Sequence, residues 1–131
     1  MGSDKLILVV EDNAHARDLT RAWLERAGYR VACAADGRAG LDLLRRGERP
    51  CLILLDLEMP ALDGWEFRAR QRGSPSLASI PIILLSAAAG LPRTAACLGV
   101  AGYFPRPDEF EGLLRAIRVL SQGRTHTRVA D

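Results

Sequence analysis

The segment LILLD, residues 52–56, decides the fold, because four aliphatic residues without polar alternation lead directly into an aspartate. A short run of this kind is typical of a strand covered on both faces, as in a parallel sheet flanked by helices. Two more runs share the pattern, Leu6–Val10 and Ile80–Leu85, and two less purely aliphatic runs are Tyr29–Ala34 and Ala101–Phe104. The sequence therefore predicts five strands, of which the third is Leu52–Leu55.

Stretches with helical spacing separate these runs. Apolar residues recur at steps of three and four over residues 16–27 and again over residues 110–120, which is the spacing of one helix face. The third predicted helix, about Trp65–Arg72, has an apolar face that Arg68 and Gln71 interrupt.

Residues that begin and end helices mark the same boundaries. Side chains suited to capping a helix N-terminus stand at Asn13, Asp36 and Asp108. Each predicted helix is followed by a glycine, which permits the left-handed conformation that closes a helix: Gly28, Gly47, Gly73, Gly99 and Gly123. These signals predict an α/β fold, a doubly wound five-stranded parallel sheet flanked by five helices.

Size and charge favour one globular domain without a polyanionic partner. We expect a domain over residues 1–122, followed by a polar tail or the start of a linker over residues 123–131. The net charge of +2 is too small to favour direct binding to nucleic acid or to a membrane. The densest basic groups, at residues 45–49 and 68–72, are interpreted as solvated helix ends.

Cysteine usage and hydropathy indicate a cytoplasmic protein. The N-terminus does not resemble a signal peptide, and no apolar stretch approaches the length of a membrane-spanning helix. Cys33, Cys51 and Cys97 stand singly in apolar contexts, so we expect them to be reduced core residues rather than disulfide partners or zinc ligands.

The residues that follow the predicted strands carry the chemical information. Glu11 and Asp12 follow the first strand, Asp56 the third, Ser86 the fourth, and the sequence Pro-Arg-Pro, with Arg106 at its centre, the fifth. The carboxyl ends of parallel strands share one edge of the sheet, where open α/β folds bind ligands. Taken singly, each residue also fits a helix N-terminus, a loop or a cap; their joint placement favours a site.

The chemistry of such a site favours phosphoryl transfer. Adjacent carboxylates repel one another unless a cation lies among them, and hard oxygen ligands suit Mg²⁺. A hydroxyl from Ser86 and the charge of Arg106 would complete a site for a transferring phosphoryl group. Asp56, central in the sheet, is the candidate nucleophile, since a carboxylate can form an acyl phosphate.

Four motifs resemble the receiver domains of two-component response regulators, chemotaxis regulators among them. They are VEDN (10–13), LLDLEMPALDG (54–64), IPIILLSA (80–87) and GYFPRP (102–107), and the likeness runs from about Lys5 to Leu120. The resemblance implies a flavodoxin-like strand order of 2-1-3-4-5. It also implies Mg²⁺ held by Asp12, Asp56 and the backbone carbonyl of Glu58, with Glu11 assisting through water.

The same resemblance implies a switch and its partners. A sensor histidine kinase or a histidine phosphotransfer protein would phosphorylate Asp56; Ser86 would be the switch hydroxyl and Tyr103 the aromatic that turns inward with it. A downstream protein target or a fused output domain would read the face made by the fourth predicted helix, the fifth strand and the last helix. The chain would catalyse only its own phosphorylation and dephosphorylation, without an outside substrate.

One departure and three alternatives accompany the resemblance. The family has lysine at position 106, where this chain has arginine, a wide planar fork instead of a compact charge. Arg106 is the argument for the first alternative, a degenerate receiver that acts as a phosphorylation-independent interaction module. A haloacid-dehalogenase-type hydrolase has a second aspartate where this chain has Glu58, and a nucleotide-binding Rossmann domain has a glycine-rich turn after its first strand, which is missing here.

Overall fold

The computed structural model describes residues 5–56, 64–85, 91–104 and 110–130 as a five-stranded sheet with six helices. The strands are β1 Leu6–Val10, β2 Arg30–Ala34, β3 Leu52–Asp56, β4 Ile82–Leu85 and β5 Gly102–Phe104. The helices are α1 Ala14–Arg26, α2 Gly37–Arg45, α3 Gly64–Arg72, α4 Pro75–Ala78, α5 Leu91–Leu98 and α6 Phe110–Ala130. All strand pairs are parallel and the order is β2-β1-β3-β4-β5, which confirms the predicted topology.

Two apolar layers cover the two faces of the sheet. Every residue of β1 and β3 is buried, as expected for central strands without polar alternation. Alternate strand residues such as Leu8 and Ile53 pack on one face with the apolar sides of α2, α3, α4 and α5. Their neighbours, Ile7 and Leu52 among them, pack on the other face with α1 and α6.

The region before β4 differs from the prediction of five helices and of a strand that begins at Ile80. A single helical turn, α4, begins with Pro75 at its first position, where a missing N–H costs nothing. Ile80 is buried but precedes the strand, and Pro81 has no N–H to donate to a neighbouring strand. The sixth helix and the later start of β4 therefore follow from the two prolines.

The predicted caps of the first two helices are confirmed. The Asn13 side chain accepts a hydrogen bond from the N–H of Ala16, and Asp36 accepts one from Ala39, each at 2.8 Å. Asp108, the third predicted cap, lies outside the described residues.

The glycine signals were correct for four of the five helix ends, because Gly28, Gly47, Gly73 and Gly99 follow α1, α2, α3 and α5. Gly28, Gly47 and Gly99 have positive φ, whereas Gly73 does not. The prediction that Gly123 ends the last helix was wrong, because α6 continues to Ala130. The boundary between a domain over 1–122 and a tail over 123–131 remains a prediction.

The three cysteines are free, but they are not all core residues. Cys33 and Cys51 are half-buried and Cys97 is exposed, so the core placement predicted for Cys97 was wrong. Among the α5 side chains that the structure describes, Ala95 and Leu98 are buried in the core, and Cys97 points away from them because successive helix residues are 100° apart. Within the described part of the chain, no helix combines the length and apolarity needed to cross a membrane.

Candidate functional site

Three carboxylates meet at the carboxyl edge of the sheet. Asp56 is the last residue of β3, and Glu11 and Asp12 follow β1, the strand beside it. One carboxylate oxygen from each residue lies within 4.8 Å of the other two. Glu11 and Asp56 are each 4% exposed, whereas Asp12 is open to solvent. The site is thus a partly buried acidic cluster with one open side.

The loop that carries two of these acids is held by hydrogen bonds. The N–H of Glu11 donates to the carbonyl of Ala34 at 3.0 Å, which continues the parallel ladder one residue beyond β1. The Glu11 side chain accepts from the N–H of Asn13 at 3.1 Å. Asn13 in turn caps α1, so the helix start and the acidic pair are fixed together.

Arg17 also supports this loop, a role that the sequence reasoning missed. Its Nη1 donates to the backbone carbonyl of Glu11 at 2.9 Å. The position four residues after the cap Asn13 was the available signal, because side chains lean towards the helix N-terminus and reach the preceding turn. A cation therefore lies beside the acidic cluster through its contact with the backbone.

The donor set fits a hard divalent cation. The buried carboxylates of Glu11 and Asp56, with oxygens within 4.8 Å of each other, repel each other electrostatically. A bound Mg²⁺ would offset that repulsion. The side chains of Asp12 and Asp56 offer oxygen ligands at the same point, with Glu11 beside them. The side of the cluster at exposed Asp12 faces solvent, which leaves room for the waters that Mg²⁺ retains.

The remaining predicted site residues are distributed as follows. Glu58, Ser86 and Arg106 lie outside the described residues, so their predicted roles stay predictions. Tyr103 lies in the edge strand β5, with 43% of its surface exposed. An exposed aromatic that the sequence reasoning did not single out is Trp65, in the first turn of α3, with 51% exposure.

Comparison with known proteins supports the resemblance seen in the sequence. The family model described as "Response regulator receiver domain" matches residues 7–118. The response regulator MprA of Mycolicibacterium vanbaalenii is 37% identical over 121 residues, which cover 91% of this chain and 51% of that protein. The probable methanogenesis regulatory protein FilR2 of Methanothrix harundinacea is 36% identical, with 89% of this chain and 81% of that protein covered. The chain thus spans about half the length of MprA.

Solved structures show the same fold. The receiver domain of a histidine kinase from Syntrophus aciditrophicus superposes with a TM-score of 0.81 at 28% identity and covers 92% of both chains. The response regulator TrrA of Thermotoga maritima, solved in complex with Mg²⁺ and BeF, superposes with a TM-score of 0.79 at 28% identity. That match covers 89% of this chain and 99% of TrrA.

Proposed function

The chain belongs to the response regulator receiver family, and from this we propose that it is a phosphoacceptor switch whose acceptor is Asp56. Receiver domains are signalling modules of two-component systems. The observation that carries the proposal is the convergence of Glu11, Asp12 and Asp56 at the carboxyl edge of the sheet.

In the proposed reaction an Asp56 carboxylate oxygen attacks the phosphorus of a phosphohistidine. The new oxygen–phosphorus bond forms an acyl phosphate, and the nitrogen–phosphorus bond breaks with its electron pair left on the donor imidazole. Burial of Asp56 restricts its carboxylate to the edge of the sheet. The phosphohistidine would approach from the side of exposed Asp12, where the cluster faces solvent. Bound Mg²⁺ would neutralise charge on the phosphoryl oxygens.

The switching residues extend this proposal beyond the described site. Asp12 and Asp56, with the carbonyl of Glu58, would hold Mg²⁺, and Arg106 would balance phosphoryl charge. The Ser86 hydroxyl would donate to a phosphoryl oxygen, and Tyr103 would turn inward with it. We further propose a cytoplasmic location, no catalysis on an outside substrate, and no direct contact with nucleic acid or membrane.

The proposed partners are of two kinds. A sensor histidine kinase or a histidine phosphotransfer protein would donate the phosphoryl group. The output would leave through the face formed by α5, β5 and α6, which corresponds to the predicted fourth helix, fifth strand and last helix. A protein target or a fused output domain would read this face.

Phosphorylation by a small donor tests the acceptor. With Mg²⁺ and acetyl phosphate, intact-protein mass spectrometry should show one added phosphoryl group on the wild-type chain and none on Asp56→Asn. Asp42→Asn, which removes an exposed carboxylate of α2, is the matched control and should be modified as the wild type is. A phosphoryl group that persists in Asp56→Asn, or one that never forms, contradicts the assignment.

A phosphorylation-independent interaction module is the second candidate, favoured by arginine at position 106. The wider fork should weaken the link between modified Asp56 and the Ser86–Tyr103 pair while leaving the chemistry possible. Arg106→Lys should therefore change the phosphorylation rate little but enlarge the amide shifts of β5 and α6 on addition of beryllofluoride. Equal shifts in the two proteins would show Arg106 to be a neutral replacement.

A further inference from the structure

One arginine of α3 reaches across to the end of α5. Arg68 Nε donates to the carbonyl of Leu98 at 2.9 Å, and its Nη2 donates to the carbonyl of Gly99 at 2.8 Å. These carbonyls belong to the end of α5, where the helix itself provides no donors and where its dipole favours a cation. A guanidinium is suited to this contact because its fork presents parallel donors to two acceptors.

A buried glutamine accepts the third hydrogen bond of the same guanidinium. Arg68 Nη1 donates to Gln71 Oε1 at 2.7 Å. Gln71 is fully buried, and its Nε2 donates to the carbonyls of Leu77 and Ile80, each at 2.9 Å. These five hydrogen bonds thus link the end of α5, through Arg68 and Gln71 of α3, to the segment 77–80 that precedes β4.

The end of α5 is shaped to receive this contact. The N–H of Gly99 donates to Ala96 and that of Val100 to Ala95, the paired bonds of a Schellman motif with Gly99 at φ +68°. A Cβ on Gly99 would stand 2.5 Å from Nη2 of Arg72, so the glycine also makes room for a second guanidinium. Burial, and secondarily Arg72, lower the pKa of Arg68 from the usual arginine range.

We propose that Arg68 is a positioning residue for the output face, which holds the C-terminal end of α5 on α3. The opposite end of α5, at Leu91, follows the segment that contains Ser86. A helix fixed at one end moves mainly at the other. Any displacement that starts near Ser86 therefore grows from Leu98 towards Leu91, and α5 acts as a lever with its pivot at Arg68.

The variant Arg68→Met tests this contact in the unphosphorylated full chain. Methionine retains most of the apolar stem and removes all three donated hydrogen bonds. Arg70→Met is the matched control, because Arg70 lies on the same helix but is exposed and pairs with Glu66 at 2.8 Å. Amide hydrogen exchange by NMR should be about tenfold faster or more at residues 98–100 in Arg68→Met, as expected from the loss of charge-assisted bonds. Exchange in Arg70→Met should match the wild type.

The variant Arg68→Lys separates the effect of the positive charge from that of the guanidinium's hydrogen-bonding geometry. A single ammonium keeps the favourable charge at the helix end but lacks the planar fork. We expect exchange rates between those of the wild type and of Arg68→Met. Equal exchange at residues 98–100 in Arg68→Met and Arg70→Met would overturn the proposal.

A second measurement tests the pivot, and this part rests on the proposed function. With Mg²⁺ and beryllofluoride, amide shifts in α5 of the wild type should decrease from Leu91 to Leu98, whereas in Arg68→Met they should extend to Gly99 and Val100. Shifts of equal size along wild-type α5 would contradict a pivot at Arg68. A chain that does not respond to the mimic contradicts the proposed function, and the exchange rates then decide the role of Arg68 alone.

Discussion

At the scale of single residues, the arginines of this chain have different roles according to which backbone lies near them. Arg70 makes an exposed pair with Glu66 one turn away, of the kind that contributes little to stability. Arg68, two positions earlier, donates to carbonyls 30 and 31 residues away. The interpretation of residues 68–72 as a solvated helix end was therefore wrong for Arg68, because its acceptors are contributed by a distant helix end and no local spacing indicates them.

Gln71 provides the first prediction at this scale. Gln71→Leu should lower the free energy of unfolding by roughly 1–3 kcal/mol, because two buried carbonyls and one arginine donor lose their partner. Ala69→Leu, at an exposed position of the same helix, should change it by less than about 0.5 kcal/mol. Urea unfolding followed by circular dichroism measures both. A neutral Gln71→Leu would show that leucine packing replaces the lost hydrogen bonds.

The cysteines provide a prediction with a pH dependence. Burial raises the pKa of the Cys33 thiol above its usual range, partly offset by Arg21 and Arg17. Iodoacetamide at pH 8 should therefore modify exposed Cys97 well before Cys33, as peptide mass spectrometry would show. Because the unfolded chain releases this proton first, stability should fall as pH rises above the ordinary thiol pKa, and Cys33→Ala should reduce that fall. Equal labelling of the two cysteines would contradict the assigned burial.

At the scale of elements, the sequence predicts the strands better than the irregular segments. The purely aliphatic runs at Leu6–Val10 and Leu52–Leu55 are the central strands, since burial on both faces leaves no reason for polar alternation. The turn α4 was missed because four residues carry no measurable periodicity. The distinction between Gly73 and Gly99 was missed because the residue type permits positive φ without requiring it.

Gly28 and Gly73, both at helix ends, differ in whether the backbone φ is positive, and alanine substitutions should show this difference in stability. Gly28 has φ +103° and open space around a Cβ, so Gly28→Ala should destabilise by about 1–2 kcal/mol through backbone strain alone. Gly73 has no positive φ, and its Cβ would make ordinary contacts, the nearest at 3.5 Å to the carbonyl oxygen of Arg70. Gly73→Ala should therefore stabilise by about 0.5 kcal/mol through the reduced entropy of the unfolded chain. Thermal unfolding of both variants checks the opposite signs, and a shared sign would contradict the argument.

At the scale of the whole molecule, the acidic cluster follows from topology. Glu11 and Asp56 are 45 positions apart in the chain, and only the parallel pairing of β1 with β3 brings their strand ends together. The expectation that strand ends share one edge was sufficient to anticipate this meeting. Support from Arg17 was not anticipated, because its position after the cap Asn13 indicates reach towards the preceding turn but does not select the Glu11 carbonyl among the acceptors there. The molecule thus folds with carboxylates close together at one edge, in a state that a cation should stabilise.

Substitution of Asp12 tests whether the acidic cluster lowers stability without a cation and raises it when Mg²⁺ binds. Removing one charge from the cluster should relieve repulsion, so Asp12→Asn should unfold at a higher temperature than the wild type in the presence of EDTA. Mg²⁺ binds the folded wild type and should raise its unfolding temperature, with a gain of roughly 1.4 kcal/mol for each tenfold excess over the dissociation constant. Asp12→Asn should lack most of that response, so the order of the two proteins should reverse as Mg²⁺ increases. The control Asp18→Asn, an exposed substitution on α1, should follow the wild type under both conditions. If Asp12→Asn were the less stable protein in EDTA, the carboxylate would be supporting the loop more than it repels its neighbours.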